Sequence, residues 1–406
     1  MTGKKRILIL TADTGFGHRS AAKALAAALE ERHGGECVYE VANPLDNEKT
    51  PTWLRDVQSD YDRVAREAAA LYKFTYDFSD SALASRMMEN ALRVLLFRAM
   101  RDIVLRFKPD VIVSTFPLYQ APLNALFTLR RAFVPVVCVV TDLATVHQIW
   151  FTGDADLTVV PTEIVRDLAL GAGILPEKVE VIGIPVHPRI SEETRSESEI
   201  RAELGWSPGM TTLLAVGSKR VDRLDDILDA LNHSGLPLQI AAVAGGDDGL
   251  FARMRDREWH LPARLYNFVD DLPAMMRASD FVMAKAGGLI VTESLAAGLP
   301  LLFVDMLPGQ ETGNADYAVA GGAAEIAADP SAALEIVYHW LADGGRLLAE
   351  RAASARALGR PRAAFEIIDR AWELAASGSA RREPVGAASA AKLRELFGRF
   401  NESFDE

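Results

Sequence analysis

The chain has 406 residues, of which 49% are hydrophobic and 25% charged, and 44 Lys+Arg against 56 Asp+Glu give a formal net charge of −12. That length accommodates two or three domains, and the composition excludes wholesale disorder and fibrous repeats. An acidic chain is a poor candidate for wrapping nucleic acid, because phosphate neutralisation needs clustered cations.

Lys4-Lys5-Arg6 is basic like the start of a signal segment, but the apolar run Ile7 to Ala12 is too short and ends in Asp13, so no targeting segment is expected. No uninterrupted apolar stretch reaches the ~18 residues that a membrane-spanning helix needs. Arg6 to Thr11 reads as a buried strand, and Arg19 to Arg32 as an Ala-rich helix. Val38 to Val41, Val111 to Ser114, Val136 to Thr141, Leu157 to Val160 and Val179 to Gly183 read as further strands. Continuous apolar runs separated by helices indicate a parallel sheet covered on both faces. Two cysteines, Cys37 and Cys138, lie in such runs; they cannot form a disulfide framework and read as reduced thiols of a cytosolic protein.

The pattern breaks at Pro185, Pro188 and the polar stretch from Ser191 to Ser198. A second series begins at Thr211 to Val216 and continues with Gln239 to Val243, Ala263 to Phe268, Phe281 to Met283 and Leu301 to Val304. The expected class is therefore α/β, with two doubly wound, Rossmann-like parallel sheets facing a cleft. The expected division is an N-terminal domain over 1–188, a linker over 189–208, a C-terminal domain over 209–360, a closing helix over 361–376 and a flexible tail over 377–406. The tail ends in a short amphipathic segment carrying Leu393, Leu396, Phe397 and Phe400, which either packs on the body or meets a membrane or partner.

Ligands of such sheets bind at the carboxyl ends of the strands. Thr14-Gly15-Phe16-Gly17-His18 follows the first strand there. Its glycines allow close backbone approach, and the helix start favours an anion. Gly15, Gly17 and Ser20 match the dinucleotide fingerprint only weakly. His18 suits proton transfer near neutral pH, or it merely caps and packs. In the second half, Lys285-Ala286-Gly287-Gly288 follows a strand, Glu293 lies inside the next helix, and Pro308-Gly309-Gln310-Glu311-Thr312-Gly313-Asn314 follows the strand after that. A carboxylate at Glu293 accepts two hydroxyl hydrogen bonds, as from a ribose diol, and Gln310 and Glu311 offer partners for sugar hydroxyls. Residue by residue, a glycine turn, a salt-bridged Glu and a polar cap are the plainer alternatives.

These segments together resemble the monogalactosyldiacylglycerol synthases and the bacterial processive diacylglycerol glucosyltransferases. Both are inverting glycosyltransferases of the GT-B fold, related to the peptidoglycan lipid-intermediate N-acetylglucosaminyltransferase. The resemblance covers about residues 6–376. It rests on Asp13 to Ala22, Thr141-Asp142 with His147 and Trp150, Gly183-Ile184-Pro185-Val186, Lys285 to Gly288, Thr292-Glu293, and Pro308 to Glu311 with Asn314. It implies that His18 is catalytic or activates the acceptor and that Asp142 belongs to the acceptor-side loop; His18 is the expected base, aided by Asp142. It implies that Glu293 binds ribose, that Gln310 and Glu311 meet the donor sugar, with Asn314 beside them, and that the backbone at Phe268 meets uracil. Gly217, Ser218, Lys219, Arg220, Gly287 and Gly288 would surround the diphosphate. Phe16, Gly17, Pro117, His147 and Trp150 would line the acceptor side.

Two positions depart from the family. Val216-Gly217-Ser218-Lys219-Arg220 stands where a glycine triplet is expected, and Ile290 where a threonine is usual.

The function so implied is transfer of a hexose, galactose favoured over glucose, from a UDP-sugar to 1,2-diacylglycerol, giving a β-glycosyl glycolipid. No metal or other cofactor is implied, and Asp154-Ala155-Asp156 reads as a solvated turn. The alternatives on the same fold are a UDP-sugar 2-epimerase and a non-catalytic UDP-sugar-binding protein. Arg86 to Lys108 holds six cations (86, 93, 98, 101, 106 and 108) against Glu89 and Asp102, with Met88, Leu92, Leu95, Ala99 and Ile103 at helical spacing. That segment either lies on an anionic membrane or packs on the next strand with its basic face in water. Tyr72 to Phe78, with Trp53 and Tyr61, would line an apolar acceptor channel or pack in the core. A peripheral position on the cytoplasmic face of a membrane is expected.

Overall fold

The β-branched and leucine runs form strands because their side chains are buried on both sides of the sheet, leaving no polar face to alternate. Ile7, Leu8, Ile9 and Leu10 are all fully buried, as are Val111, Ile112 and Val113. The computed structural model describes residues 3–13, 16–52, 55, 93–218, 221, 223–307, 311–378, 391–395 and 397.

The described chain forms two units, 1–187 with 363–406, and 188–362. The first contains β1 (Lys5–Leu10), α1 (Phe16–His33), β2 (Cys37–Ala42), α2 (Phe97–Phe107), β3 (Val111–Ser114), α3 (Gln120–Arg130), β4 (Val136–Val139), β5 (Leu157–Val160), α4 (Glu163–Gly171) and β6 (Val179–Val181). Its six strands are parallel in the order β2-β1-β3-β4-β5-β6. Adjacent β1, β3 and β4 therefore end side by side.

The second unit begins with α5 (Arg189–Glu192) and α6 (Glu197–Leu204). It continues through β7 (Thr211–Val216), α7 (Leu224–Asn232), β8 (Leu238–Val243), α8 (Asp248–Asp256), β9 (Ala263–Tyr266) and α9 (Leu272–Arg277). Then follow β10 (Phe281–Lys285), α10 (Gly288–Ala296), β11 (Leu301–Asp305), α11 (Thr312–Ala320), β12 (Ala324–Ile326) and α12 (Pro330–Leu358), the last interrupted at Asp343-Gly344-Gly345 by positive φ values. Its parallel order is β12-β11-β10-β7-β8-β9. The order reverses between β10 and β7, the switch point at which such sheets bind ligands.

Two expectations change. The stretch 189–208, expected as a linker, holds α5 and α6 and belongs to the second unit. Ser196 and Glu199 form a capping box, Gly205 ends α6 in the left-handed region, and Ile200 is fully buried. Arg201 is buried too, and donates to the Ala278 and Met210 carbonyls and to Asp280. The expected closing helix is present as α13 (Ala363–Ser377) and packs in the first unit against α1 and β3, with Trp372 stacked on His33 at 3.8 Å. The tail, expected to be flexible, places Phe397 in the core of that unit, 4.7 Å from Phe97 between ring centroids. Residues 379–390, Leu396 and Phe400 lie outside the described residues.

The basic segment resolves in the same direction. In α2, Phe97, Met100, Ile103, Val104 and Phe107 are buried, so the apolar face serves the core. Arg106 stays outward and pairs with Glu40 at 2.5 Å. Met88, Leu92, Trp53, Tyr61 and Tyr72 to Phe78 lie outside the described residues. Among the described residues, no helix is long and apolar enough to cross a membrane.

Candidate active site

In the first unit the loops after β1, β3 and β4 converge. The first turn of α1 carries His18, whose Nδ1 lies 2.8 Å from the Thr115 carbonyl oxygen, just past β3. Thr141 Oγ1, just past β4, lies 2.8 Å from the same nitrogen. Thr115 is held in turn, its hydroxyl donating to the Leu10 and His18 carbonyls at 3.2 and 3.1 Å. Phe116 meets the imidazole edge-on at 5.0 Å, and Trp150 lies tilted at 6.0 Å. A carbonyl oxygen only accepts, so His18 Nδ1 carries the proton and Nε2 has the lone pair. Burial lowers the His18 pKa to about 4, partly opposed by the bond to Thr115, so the ring is neutral at physiological pH.

Asp142, expected to aid His18, turns elsewhere: its Oδ2 accepts from Trp150 Nε1 at 2.7 Å. Burial raises its pKa to about 6, while the indole bond pulls it down. His147 caps the short 3-10 turn Gln148–Trp150, its Nδ1 accepting from Ile149 N at 3.1 Å, and so fixes where Trp150 points. Gln120 donates to the Trp150 carbonyl at 2.9 Å. Pro117 opens the turn Pro117–Tyr119, and Tyr119 donates to the Thr11 carbonyl at 3.0 Å. A Cβ on Gly17 would meet nothing within 4 Å, so local packing does not demand glycine there. Asp154 and Asp156 are structural, accepting from Asn124 and from Val136 N respectively.

The second unit gathers its groups around the switch point. Gly217 N donates to the Val243 carbonyl at 2.7 Å. Gly245 has φ +66°, and a Cβ there would lie 2.2 Å from the Gly217 oxygen, so only glycine fits. After β10, the Lys285 ammonium pairs with Glu311 Oε1, and Glu311 Oε2 accepts from Leu307 N at 2.9 Å. Asn314 Nδ2 donates to the Ala286 carbonyl at 3.1 Å, tying α11 to the turn that opens α10 at Gly287 and Gly288. Both Glu311 oxygens thus have internal partners, and each retains a lone pair that a sugar hydroxyl can use. Burial pushes the Glu293 carboxyl, within α10, up to about 7. Phe268, past β9, is 66% exposed, which leaves its backbone approachable. Ser218 follows Gly217 past β7.

Lys219, Arg220 and Gln310 lie outside the described residues, as does the side chain of Phe16. The sequence reading missed Lys285 as a charged member of its turn, Gly245, and Thr115 and Thr141 as partners of His18. Lys285 and Thr141 belong to the Lys285–Gly288 and Thr141-Asp142 motifs, and Ala244-Gly245-Gly246 after a strand is a visible signal. Nothing in the sequence marked Thr115.

Residues 18–186 match the family model described as monogalactosyldiacylglycerol (MGDG) synthase. The chain is 30% identical over 375 residues to a probable chloroplastic monogalactosyldiacylglycerol synthase 2 of Oryza sativa subsp. indica, covering 90% of this chain and 79% of that one. Among solved structures it is similar to Acinetobacter baumannii MurG, with TM-score 0.59 at 18% identity, covering 91% of this chain and 99% of that one. It is also similar to Neisseria meningitidis UDP-GlcNAc 2-epimerase bound to UDP-GlcNAc, with TM-score 0.58 at 15% identity, covering 91% of this chain and all of that one (100%). At those identities the structural likenesses show the fold alone, which is GT-B.

Proposed function

Because the chain belongs to the monogalactosyldiacylglycerol synthase family, we propose that it transfers galactose from UDP-galactose to the free hydroxyl of 1,2-diacylglycerol with inversion, giving a β-galactosyl glycolipid. One observation of this chain carries the reading: His18 is a neutral imidazole whose Nδ1 is occupied by Thr115 and Thr141, leaving Nε2 as the base. Nε2 takes the proton of the acceptor hydroxyl as its oxygen bonds to the anomeric carbon. The bond from that carbon to the diphosphate oxygen breaks, and its electron pair leaves with UDP.

The second unit supplies the donor side. The ionised Glu293 accepts from the ribose diol, and Gln310 and Glu311 meet the sugar. Backbone N–H groups at Ser218 and Gly288, the start of α10, and the cations Lys219 and Arg220 stabilise the charge growing on the diphosphate, while Gly217 and Gly287, whose amides donate to the Val243 and Lys285 carbonyls, let the backbone come close to it. Asn314 keeps the turn before α10 in register through the Ala286 carbonyl. Phe268 presents its backbone to uracil. Asp142, His147, Pro117 and Trp150, with Phe16 and Gly17, shape the acceptor side. No metal is required by this set of groups.

The enzyme acts at a membrane surface on the cytoplasmic side, because its acceptor is dissolved in lipid. The cations of α2 and its approach, Arg93, Arg98 and Arg101, attract an anionic leaflet, while the apolar face of α2 stays in the core. Glucose differs from galactose at one hydroxyl, so a glucosyl product is the nearest variant. The test is purified enzyme with diacylglycerol vesicles and a panel of UDP-sugars, the products being resolved chromatographically. A galactolipid formed only with UDP-galactose is expected. A changed UDP-sugar without lipid would point instead to a 2-epimerase, and binding without any product to a non-catalytic sugar-nucleotide protein.

A further inference from the structure

His18 is flanked by two oxygens of different kinds. The Thr115 carbonyl belongs to the backbone and is present whatever the side chain. The Thr141 hydroxyl is a side-chain group, buried, at the same 2.8 Å from Nδ1. We propose that Thr141 is a positioning residue for the base: its hydroxyl holds the imidazole in the Nδ1–H tautomer and supplies an uncharged acceptor where a carboxylate would otherwise orient the ring. This rests on the functional reading above.

If Nδ1 were bare, its lone pair would face the Thr115 carbonyl lone pairs at 2.8 Å, which is repulsive. With the proton on Nδ1, both oxygens accept from one N–H and the ring is fixed between two strand ends. When Nε2 takes the acceptor's proton, positive charge spreads to Nδ1–H and both acceptor bonds tighten. The titratable groups on the surrounding elements have other partners. Asp142 accepts from Trp150, Asp13 pairs with Arg19 at 3.5 Å, His147 caps Ile149, and Tyr119 donates to the Thr11 carbonyl. A neutral acceptor therefore orients the ring without fixing a negative charge beside it.

The test compares Thr141→Val, Thr141→Ser and Thr141→Asp with the parent enzyme on UDP-galactose and diacylglycerol vesicles. Losing one acceptor should lower kcat roughly 3–10-fold in Thr141→Val, the range of a single net hydrogen bond. The KM for UDP-galactose should stay unchanged, and Thr141→Ser should recover most of kcat. The ascending limb of the pH–kcat profile should move to lower pH in Thr141→Val and to higher pH in Thr141→Asp, because a carboxylate favours the imidazolium. Nitrogen-15 NMR of the parent should show His18 protonated at Nδ1 and bare at Nε2. Parental kcat in Thr141→Val, a serine variant no better than valine, limbs that coincide in all four proteins, or an Nε2–H tautomer would each overturn the assignment. An inert parent would sink the functional reading alone, and the NMR titration of His18 in the same variants would still decide the role of Thr141.

Discussion

In the first unit, the group suited to chemistry is held by uncharged oxygens; in the second, by an ion pair. His18 lies between a carbonyl and a hydroxyl, and burial keeps it neutral, with a pKa of about 4. Lys285 faces the Glu311 carboxylate, the two side chains being 17% and 7% exposed. The difference follows from what each place must do. A base has to reach the reaction unprotonated, so a carboxylate against its ring would work against it by favouring the imidazolium. A turn proposed to receive a diphosphate is helped by a cation held in place, and Glu311 fixes the Lys285 side chain while also bonding to Leu307 N.

The largest effect should come from removing the base. His18→Ala should lower turnover about 10²–10⁴-fold and leave UDP affinity by calorimetry unchanged, because the proposed donor contacts belong to the other unit. Normal turnover would end the comparison by moving the base to Asp142. Next in size is the ion pair. Lys285→Met leaves Glu311 as an uncompensated buried charge and should destabilise the second unit by about 3–5 kcal/mol in urea unfolding. Adding Glu311→Leu should restore much of that loss. A single variant as stable as the parent would show that the pair contributes little to the fold.

A smaller loss is expected at Glu293. Glu293→Ala should weaken UDP binding by about 1.5–3 kcal/mol, the worth of a hydrogen bond to a charged group. The sign of the pH effect sharpens this. The carboxylate is the better acceptor and forms as pH rises through about 7. UDP affinity should therefore strengthen between pH 6 and pH 8 in the parent and stay flat in the variant. The most delicate measurement separates two titrating groups. If His18 alone governs the rate, the ascending limb of the parent lies near pH 4, because the neutral ring is the active form above its pKa. If Asp142 governs it, the limb lies near pH 6 and vanishes in Asp142→Asn.

Much of the fold was legible. Runs such as Ile7 to Leu10 and Leu213 to Ala215 carry no polar alternation, and only a sheet covered on both faces accommodates them. The first unit's limit at His187 and the second unit's end at Arg362 lie near the expected 188 and 360, but the second unit begins at Pro188 rather than at the expected 209. The stretch 189–208 was not legible because it is polar and short. Its helix is fixed by the Ser196–Glu199 capping box, a spacing the sequence does show, and by Arg201, which reaches the Ala278 carbonyl 77 positions away and which no local pattern reports. For Phe397 the amphipathic pattern of the tail was visible, but not whether that face packs on the body or meets a membrane or partner; burial in the core of the first unit decides it.

The sequence by itself determined the two parallel sheets, the strand ends at which chemistry would lie, and the residue types available there, His18, Glu293 and Glu311 among them. These follow from local pattern, since burial on both faces of a strand and a glycine turn after it are written within a few residues. Only the tertiary structure decided the partners. His18 and Thr115 are separated by 97 positions, and His18 and Thr141 by 123. They meet because β1, β3 and β4 are neighbours in the sheet, an order that no local pattern encodes. Thr141 and Asp142 are adjacent in the chain and both can hydrogen-bond. The course of the backbone after β4 gives the hydroxyl to His18 and the carboxylate to Trp150, so one peptide bond separates the group that holds the imidazole from the group that holds the indole.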